Sequence, residues 1–163
     1  MGVVGGGSSF SGLVFPFLED YSGKCEFIAV ESAAVPSFTK GEYRYENPDL
    51  VELMPRTKMY TLGNEFVPGE LGASGLNYHG KNPLLSLLVH HNQIKAIALD
   101  PNDVDPTLEI FHELEGIRPA AESCYAVKGA FDKAVELDKQ GKTVVFSLTG
   151  NSHPLEFHGK AKI

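Results

Sequence analysis

Five consecutive small residues near the start of the chain, Gly5, Gly6, Gly7, Ser8 and Ser9, have the composition to hold an oxyanion. Without side chains the backbone can approach an anion closely, and the N–H groups that open a following helix point at it with the helix dipole behind them. The spacing fits neither G-x-x-x-x-G-K-[ST] nor G-x-G-x-x-G, because the glycines are contiguous and no lysine follows at the required place. A mononucleotide P-loop is therefore rejected. On this motif alone, a phosphate cradle and a plain glycine turn both stay open. Glu122, just after Pro119, reads by itself as a first-turn helix carboxylate favoured by the dipole, and Thr149 as a strand-end hydroxyl bonded to nearby backbone. His79, His90 and His91 lack a carboxylate or cysteine at ligand spacing, so no metal site is assigned. Lys58 and Lys81 read as solvated loop lysines. Cys25 and Cys124 read as free, buried thiols in a reducing compartment.

These groups need elements to position them. Val3 and Val4 end a strand that runs into the glycines. Phe10, Leu13, Val14, Phe17 and Leu18 then follow the spacing of an amphipathic helix, which Pro16 should shorten. Residues 26–31 form the next strand. Residues 32–74 hold four prolines and no sustained period, so an ordered excursion over the surface, reaching to about residue 82, is expected there. Residues 83–91 are a short apolar helix and 94–99 a strand. Asp103 or Asp105 caps a helix with Val104, Leu108, Phe111 and Leu114 on one face, stopped by Gly116. Pro119 opens a longer helix whose buried stripe is Val127, Ala130, Phe131, Ala134 and Val135, with Gly141 as its stop. Residues 143–148 read as a fully buried strand. Strands separated by helices imply one α/β domain over residues 1–163: a parallel sheet with helices on both faces, three layers in all. Ligands bind such sheets at the carboxyl ends of the strands, where the glycine segment and Thr149 fall.

Composition narrows the partners. The net charge is −7 and the 14 basic residues are scattered, so no basic stripe exists to neutralise a nucleic-acid backbone. The apolar runs at 84–89 and 144–148 fall far short of the ~20 residues that span a bilayer. The first residues carry no charged-then-apolar signal pattern, so a cytoplasmic location is expected.

The segment from Val3 through Gly5, Gly6, Gly7, Ser8 and Ser9 to Leu13 resembles the phosphate loop of fold-type II pyridoxal-phosphate enzymes. Phe15-Pro16-Phe17-Leu18 narrows the resemblance to tryptophan synthase β chains, best to their second branch. Phe27-Ile28-Ala29-Val30-Glu31, Lys58-Met59-Tyr60-Thr61-Leu62-Gly63, Gly75-Leu76-Asn77-Tyr78-His79-Gly80, Glu115-Gly116-Ile117-Arg118-Pro119-Ala120-Ala121-Glu122-Ser123 and Phe146-Ser147-Leu148-Thr149-Gly150 continue it in order over nearly the whole chain. The resemblance implies the C-terminal half of such an enzyme, with pyridoxal phosphate as cofactor. Its phosphate would lie on Gly5, Gly6, Gly7, Ser8 and Ser9, Glu122 near the ring, and the Thr149 hydroxyl at the pyridine nitrogen. Ser9 stands where the family usually has asparagine, and the turn after Thr149 and the tail depart from the family pattern. The family's Schiff-base lysine comes from an N-terminal segment that none of this chain resembles, so no catalytic residue is assigned.

Two functions follow from this. One is the phosphate-gripping portion of a lyase that condenses L-serine with indole, inactive alone. The other is a non-catalytic phosphate-binding or subunit-interaction module. In either case a missing N-terminal half or a second copy of the chain, as in a homodimer, should cover exposed apolar surface, with Phe10, Phe15, Phe17, Tyr43, Tyr45 and Tyr60 as contributors.

Overall fold

The computed structural model describes residues 1–21, 23–69 and 73–150. Three parallel strands form its centre: β1 (Gly2–Val3), β2 (Ile28–Ser32) and β5 (Lys95–Leu99), in the order β1-β2-β5. Ala29 pairs with Gly2 on one side and with Ala96 on the other, so β2 is fully enclosed, and all five of its residues are buried. Its alternation decides the layers. Ile28 and Val30 face α5 (Pro101–Glu115) and α6 (Ala121–Glu136), where they pack with Val104, Leu108, Cys124 and Tyr125. Ala29 faces the other way, into a cluster with Val4, Phe10, Val14, Phe38, Leu85 and Ile94. That second layer is built by α1 (Ser8–Val14), α3 (Ser37–Lys40) and α4 (Pro83–His90). A parallel sheet between two helical layers is thus the architecture, as the alternation of elements implies.

Pro16 shortens the first helix as expected: α1 gives way to a 3-10 turn at Phe15–Phe17 and the short α2 (Leu18–Tyr21). The excursion after β2 holds more structure than its sequence suggests. An antiparallel pair, β3 (Glu42–Glu46) and β4 (Thr57–Thr61), lies against α4, with Tyr60 N–H donating to Ser86 Oγ at 3.1 Å.

Several expectations are corrected. The cap of α5 is Asp100, whose carboxylate accepts from Asn102 N–H at 2.8 Å, rather than Asp103 or Asp105, because Pro101 already occupies the first helical position. Leu114, Ala134 and Val135 are exposed, since α5 and α6 pack on the sheet and on each other through faces that exclude them. Residues 143–148 form no assigned strand and are not buried. Ser147 N–H donates to the Met1 carbonyl and the Met1 amine to the Val145 carbonyl, which ties the segment alongside the start of β1. Phe10 is core, not interface, and Cys25 is exposed while Cys124 is buried. Lys81 is not solvated; its surroundings are described below.

Candidate functional site

At the carboxyl ends of the parallel strands a cleft of about 390 Å³ opens, lined by Gly5, Gly6, Gly7, Ser8, Ser9, Gly75, Tyr78, Glu122 and Thr149 among others. All seven residues singled out in the sequence meet here, from three distant stretches of chain. The volume falls in the range of small-molecule sites.

The glycine segment is shaped from behind. Asn82 N–H donates to the Gly6 carbonyl at 2.7 Å, and the Lys81 ammonium donates to the Gly5 carbonyl at 2.9 Å. Space and backbone both require glycine. A Cβ on Gly5 would lie 2.1 Å from the Gly75 carbonyl oxygen, and Gly7 has φ of 112° with Leu85 pressed against it. No acceptor among the described residues takes the N–H groups of Gly6 or Gly7.

Glu122 stands in the first turn of α6, and its Oε1 accepts from Gly75 N–H at 2.9 Å, closing the cleft between α6 and the 3-10 turn at Ser74–Leu76. Thr149 is held by a residue that sequence reasoning passed over. The buried Ser123 hydroxyl donates to the Thr149 carbonyl at 2.8 Å, lies 2.9 Å from Thr149 Oγ1, and accepts from Thr149 N–H at 3.1 Å. Adjacent residues of one helix turn therefore place the Glu122 carboxylate and the Thr149 hydroxyl at the cleft. The sequence signal for Ser123 was its place at the end of the family-like segment 115–123, with no role attached to it.

Lys81 lies behind the glycines rather than in the cleft. Its Nζ is 3.5 Å from Glu31 Oε2 and 5.7 Å from the centroid of Phe38, with both charged side chains shut off from solvent. Glu31 accepts in addition from Phe38 N–H, Thr39 N–H and the Thr39 hydroxyl, at 2.8–3.0 Å. Burial pulls the Lys81 amine below the ordinary lysine value, against the opposing pull of Glu31.

The histidines have structural partners. His79 Nε2 meets the Pro48 carbonyl at 3.2 Å and its Nδ1 the Thr61 hydroxyl at 3.1 Å, while His90 stacks on Tyr43 at 4.3 Å. Lys58 sits over the Tyr43 ring. A larger hollow of about 950 Å³ lies at the opposite, amino ends of the strands, lined by Met1, Phe27, Ile28 and Lys95 among others. In a parallel sheet that end lacks the converging backbone donors that make the carboxyl end a ligand site.

The fold matches that of a fungal L-serine ammonia-lyase from Rhizomucor miehei, with a TM-score of 0.66 over 93% of this chain and 45% of that one, at 18% identity. The chain thus has the fold-type II α/β arrangement expected from its sequence. More narrowly, it is homologous to tryptophan synthase β chains. It is 44% identical over 164 residues to tryptophan synthase beta chain 2 of Pyrococcus furiosus, covering 98% of this chain and 36% of the relative. The tryptophan synthase beta chain of Thermosipho africanus is 44% identical over 155 residues, 93% of this chain and 37% of its own length. The chain spans about a third of the length of these curated relatives. No family model matches it.

Proposed function

We propose that the chain is the part of a tryptophan synthase β-type enzyme, joining L-serine to indole, that grips the phosphate of pyridoxal phosphate. The observation behind this reading is the convergence of Gly5, Gly6, Gly7, Ser8, Ser9, Glu122 and Thr149 on one cleft at the carboxyl ends of the parallel strands. The residues fit such a group: bare backbone donors at Gly6 and Gly7 suit a phosphate, and Thr149 offers a hydroxyl of fixed position to a ring nitrogen. When bound, the cofactor supplies an electron sink for bonds to the α-carbon of an amino acid.

The chain's own residues then bind and orient. Gly6 and Gly7 donate to phosphate oxygens, with Ser8 and Ser9 beside them. Glu122 spends Oε1 on Gly75, which leaves Oε2 to meet a ligand. Ser123 holds Thr149 in place. A hydroxyl at the ring nitrogen leaves it largely unprotonated, in contrast to a carboxylate partner. Among the described residues no lysine lines the cleft, so these residues alone would not complete the reaction. The segment of the enzyme that carries the lysine would complete it, and the cytoplasm is the compartment we propose. Among the described residues no helix is long and apolar enough to cross a membrane.

Titration of the isotope-labelled chain with pyridoxal phosphate, followed by amide resonances, tests the reading. The signals of residues 5–9 and of Glu122 should move. Shifts confined to other surfaces would overturn the cradle. In parallel, the purified chain incubated with serine, indole and cofactor should form no tryptophan, and its appearance would overturn the expected inactivity.

A further inference from the structure

The buried Lys81–Glu31 pair has no role in the chemistry described so far, yet it touches the glycine segment directly. Lys81 Nζ reaches the Gly5 carbonyl at 2.9 Å and the Val4 carbonyl at 3.4 Å, and one residue later Asn82 N–H holds the Gly6 carbonyl. In a trans peptide the C=O and the following N–H point in opposite directions across one plane. A carbonyl drawn to Lys81 therefore turns the next N–H away from it. Carbonyls of Gly5 and Gly6 fixed on the rear side leave the N–H groups of Gly6 and Gly7 on the other, and both residues line the cleft.

We propose that Lys81 is a positioning residue for the anion cradle: by holding the Gly5 carbonyl from behind, it orients the Gly6 N–H toward the phosphate. This rests on the phosphate-binding reading of residues 5–9. An ammonium is well suited to the task, because it donates to several carbonyls at once and polarises the peptides it holds. Glu31 makes the arrangement affordable in a buried site. Its carboxylate is fixed by three donors from the start of α3 and neutralises Lys81 at 3.5 Å. The pair thereby ties the end of β1 to the end of β2 and to α3. Lys81 is a poor candidate for a covalent link to the cofactor, since it is not among the residues lining the cleft and its amine is directed at the Gly5 and Val4 carbonyls.

The test uses inorganic phosphate and the 163-residue chain, in wild type, Lys81→Met and the double variant Lys81→Met/Glu31→Gln, which leaves no buried charge unpaired. In wild type, phosphate should shift the Gly6 and Gly7 amides, and the slowly exchanging Lys81 Nζ signal with them. Each folded variant should bind about tenfold more weakly, as expected for loss of one charge-assisted bond that orients the donors. A purely structural role would lower the melting temperature and leave the affinity unchanged. Wild-type affinity in a folded variant, or an unmoved Lys81 signal while Gly6 and Gly7 shift, overturns the proposal and leaves the cradle standing. No shift at Gly6 and Gly7 in wild type overturns the cradle and the role of Lys81 together. Should neither variant fold, the wild-type Lys81 signal decides.

Discussion

Ser123 and Cys124, neighbours on the first turns of α6, lead to opposite consequences from equal burial. Ser123 makes three contacts with Thr149, and its loss would strand the Thr149 N–H and free its hydroxyl. Ser123→Ala should therefore cost about 0.5–1.5 kcal/mol in urea unfolding, the net worth of a hydrogen bond whose partner, the exposed Thr149, water can reach. A cost below a few tenths would show that residues 147–149 are held by other means. Cys124 instead gains nothing from ionising. Burial pushes its thiol up to about 12 from an ordinary 9.0, with Asp105 adding to the effect. Between those values the unfolded thiol gives up a proton that the folded one keeps. Its contribution to stability is thus whole below about pH 9 and lost as pH rises toward 12. Cys124→Ala should flatten the alkaline loss of stability, and an unchanged slope would refute the assignment. At about pH 8 a thiol reagent should label the exposed Cys25 promptly and Cys124 only on unfolding. The glycines were legible in the sequence because a backbone demand leaves a run of one residue type. Lys81 and Ser123 were not, because a single lysine or serine looks the same whether a fold buries it or leaves it in water.

Elements divide in the same way. The helices α1, α4 and α5 and the strands β2 and β5 lie close to where periodicity and turn residues place them, whereas α6 ends at Glu136, short of the Gly141 expected to stop it. The β3–β4 pair escaped detection because ten residues with two prolines separate its strands, and no two-residue turn announces a hairpin. Its packing is aromatic: Tyr60 meets Phe38 at 5.6 Å and Tyr43 at 5.3 Å, which joins the hairpin to the core. Residues 143–148 show the limit of reading apolar runs. Val144 to Leu148 has the composition of a central strand, but whether such a run is enclosed depends on what stands on its far side, a property that no local pattern carries. The start of α5 is legible only in part, because three aspartates and two prolines crowd residues 100–106 and several could cap. The geometry selects Asp100. Asp100→Ala should accordingly lower stability by about 1 kcal/mol, the usual worth of an N-cap, while Asp105→Ala should change it much less. Equal effects of the two, measured by urea unfolding, would reject Asp100 as the cap.

Over the whole molecule, apolar surface is spread unevenly. Between β3 and β4, Leu50, Val51, Leu53 and Met54 are each more than half exposed, and Val67, 84% exposed, is a further uncovered apolar side chain. At the amino ends of the strands Phe17 and Tyr21 form an edge-to-face pair on the rim of the larger hollow. Soluble monomers seldom leave contiguous apolar patches beyond a few hundred Å² uncovered. Tyr45, exposed on the hairpin, extends the first surface, whereas Phe10 belongs to the core and contributes to neither. The expected outcome is association, either with a second copy of the chain or with a polypeptide supplying the remainder of the relatives' length. Light scattering over a concentration series should show a mass above that of one 17.7 kDa chain at tens of micromolar. Leu53→Glu with Met54→Glu should shift the equilibrium toward monomer if the hairpin face carries the contact, because charge in an apolar interface must be desolvated at each encounter. Phe17→Glu makes the same test of the opposite end. A monomer that binds no apolar dye across this range would show that both surfaces are stable in water as they stand, and the reading of the chain as an independent phosphate-binding module would then gain over that of an enzyme part awaiting its complement.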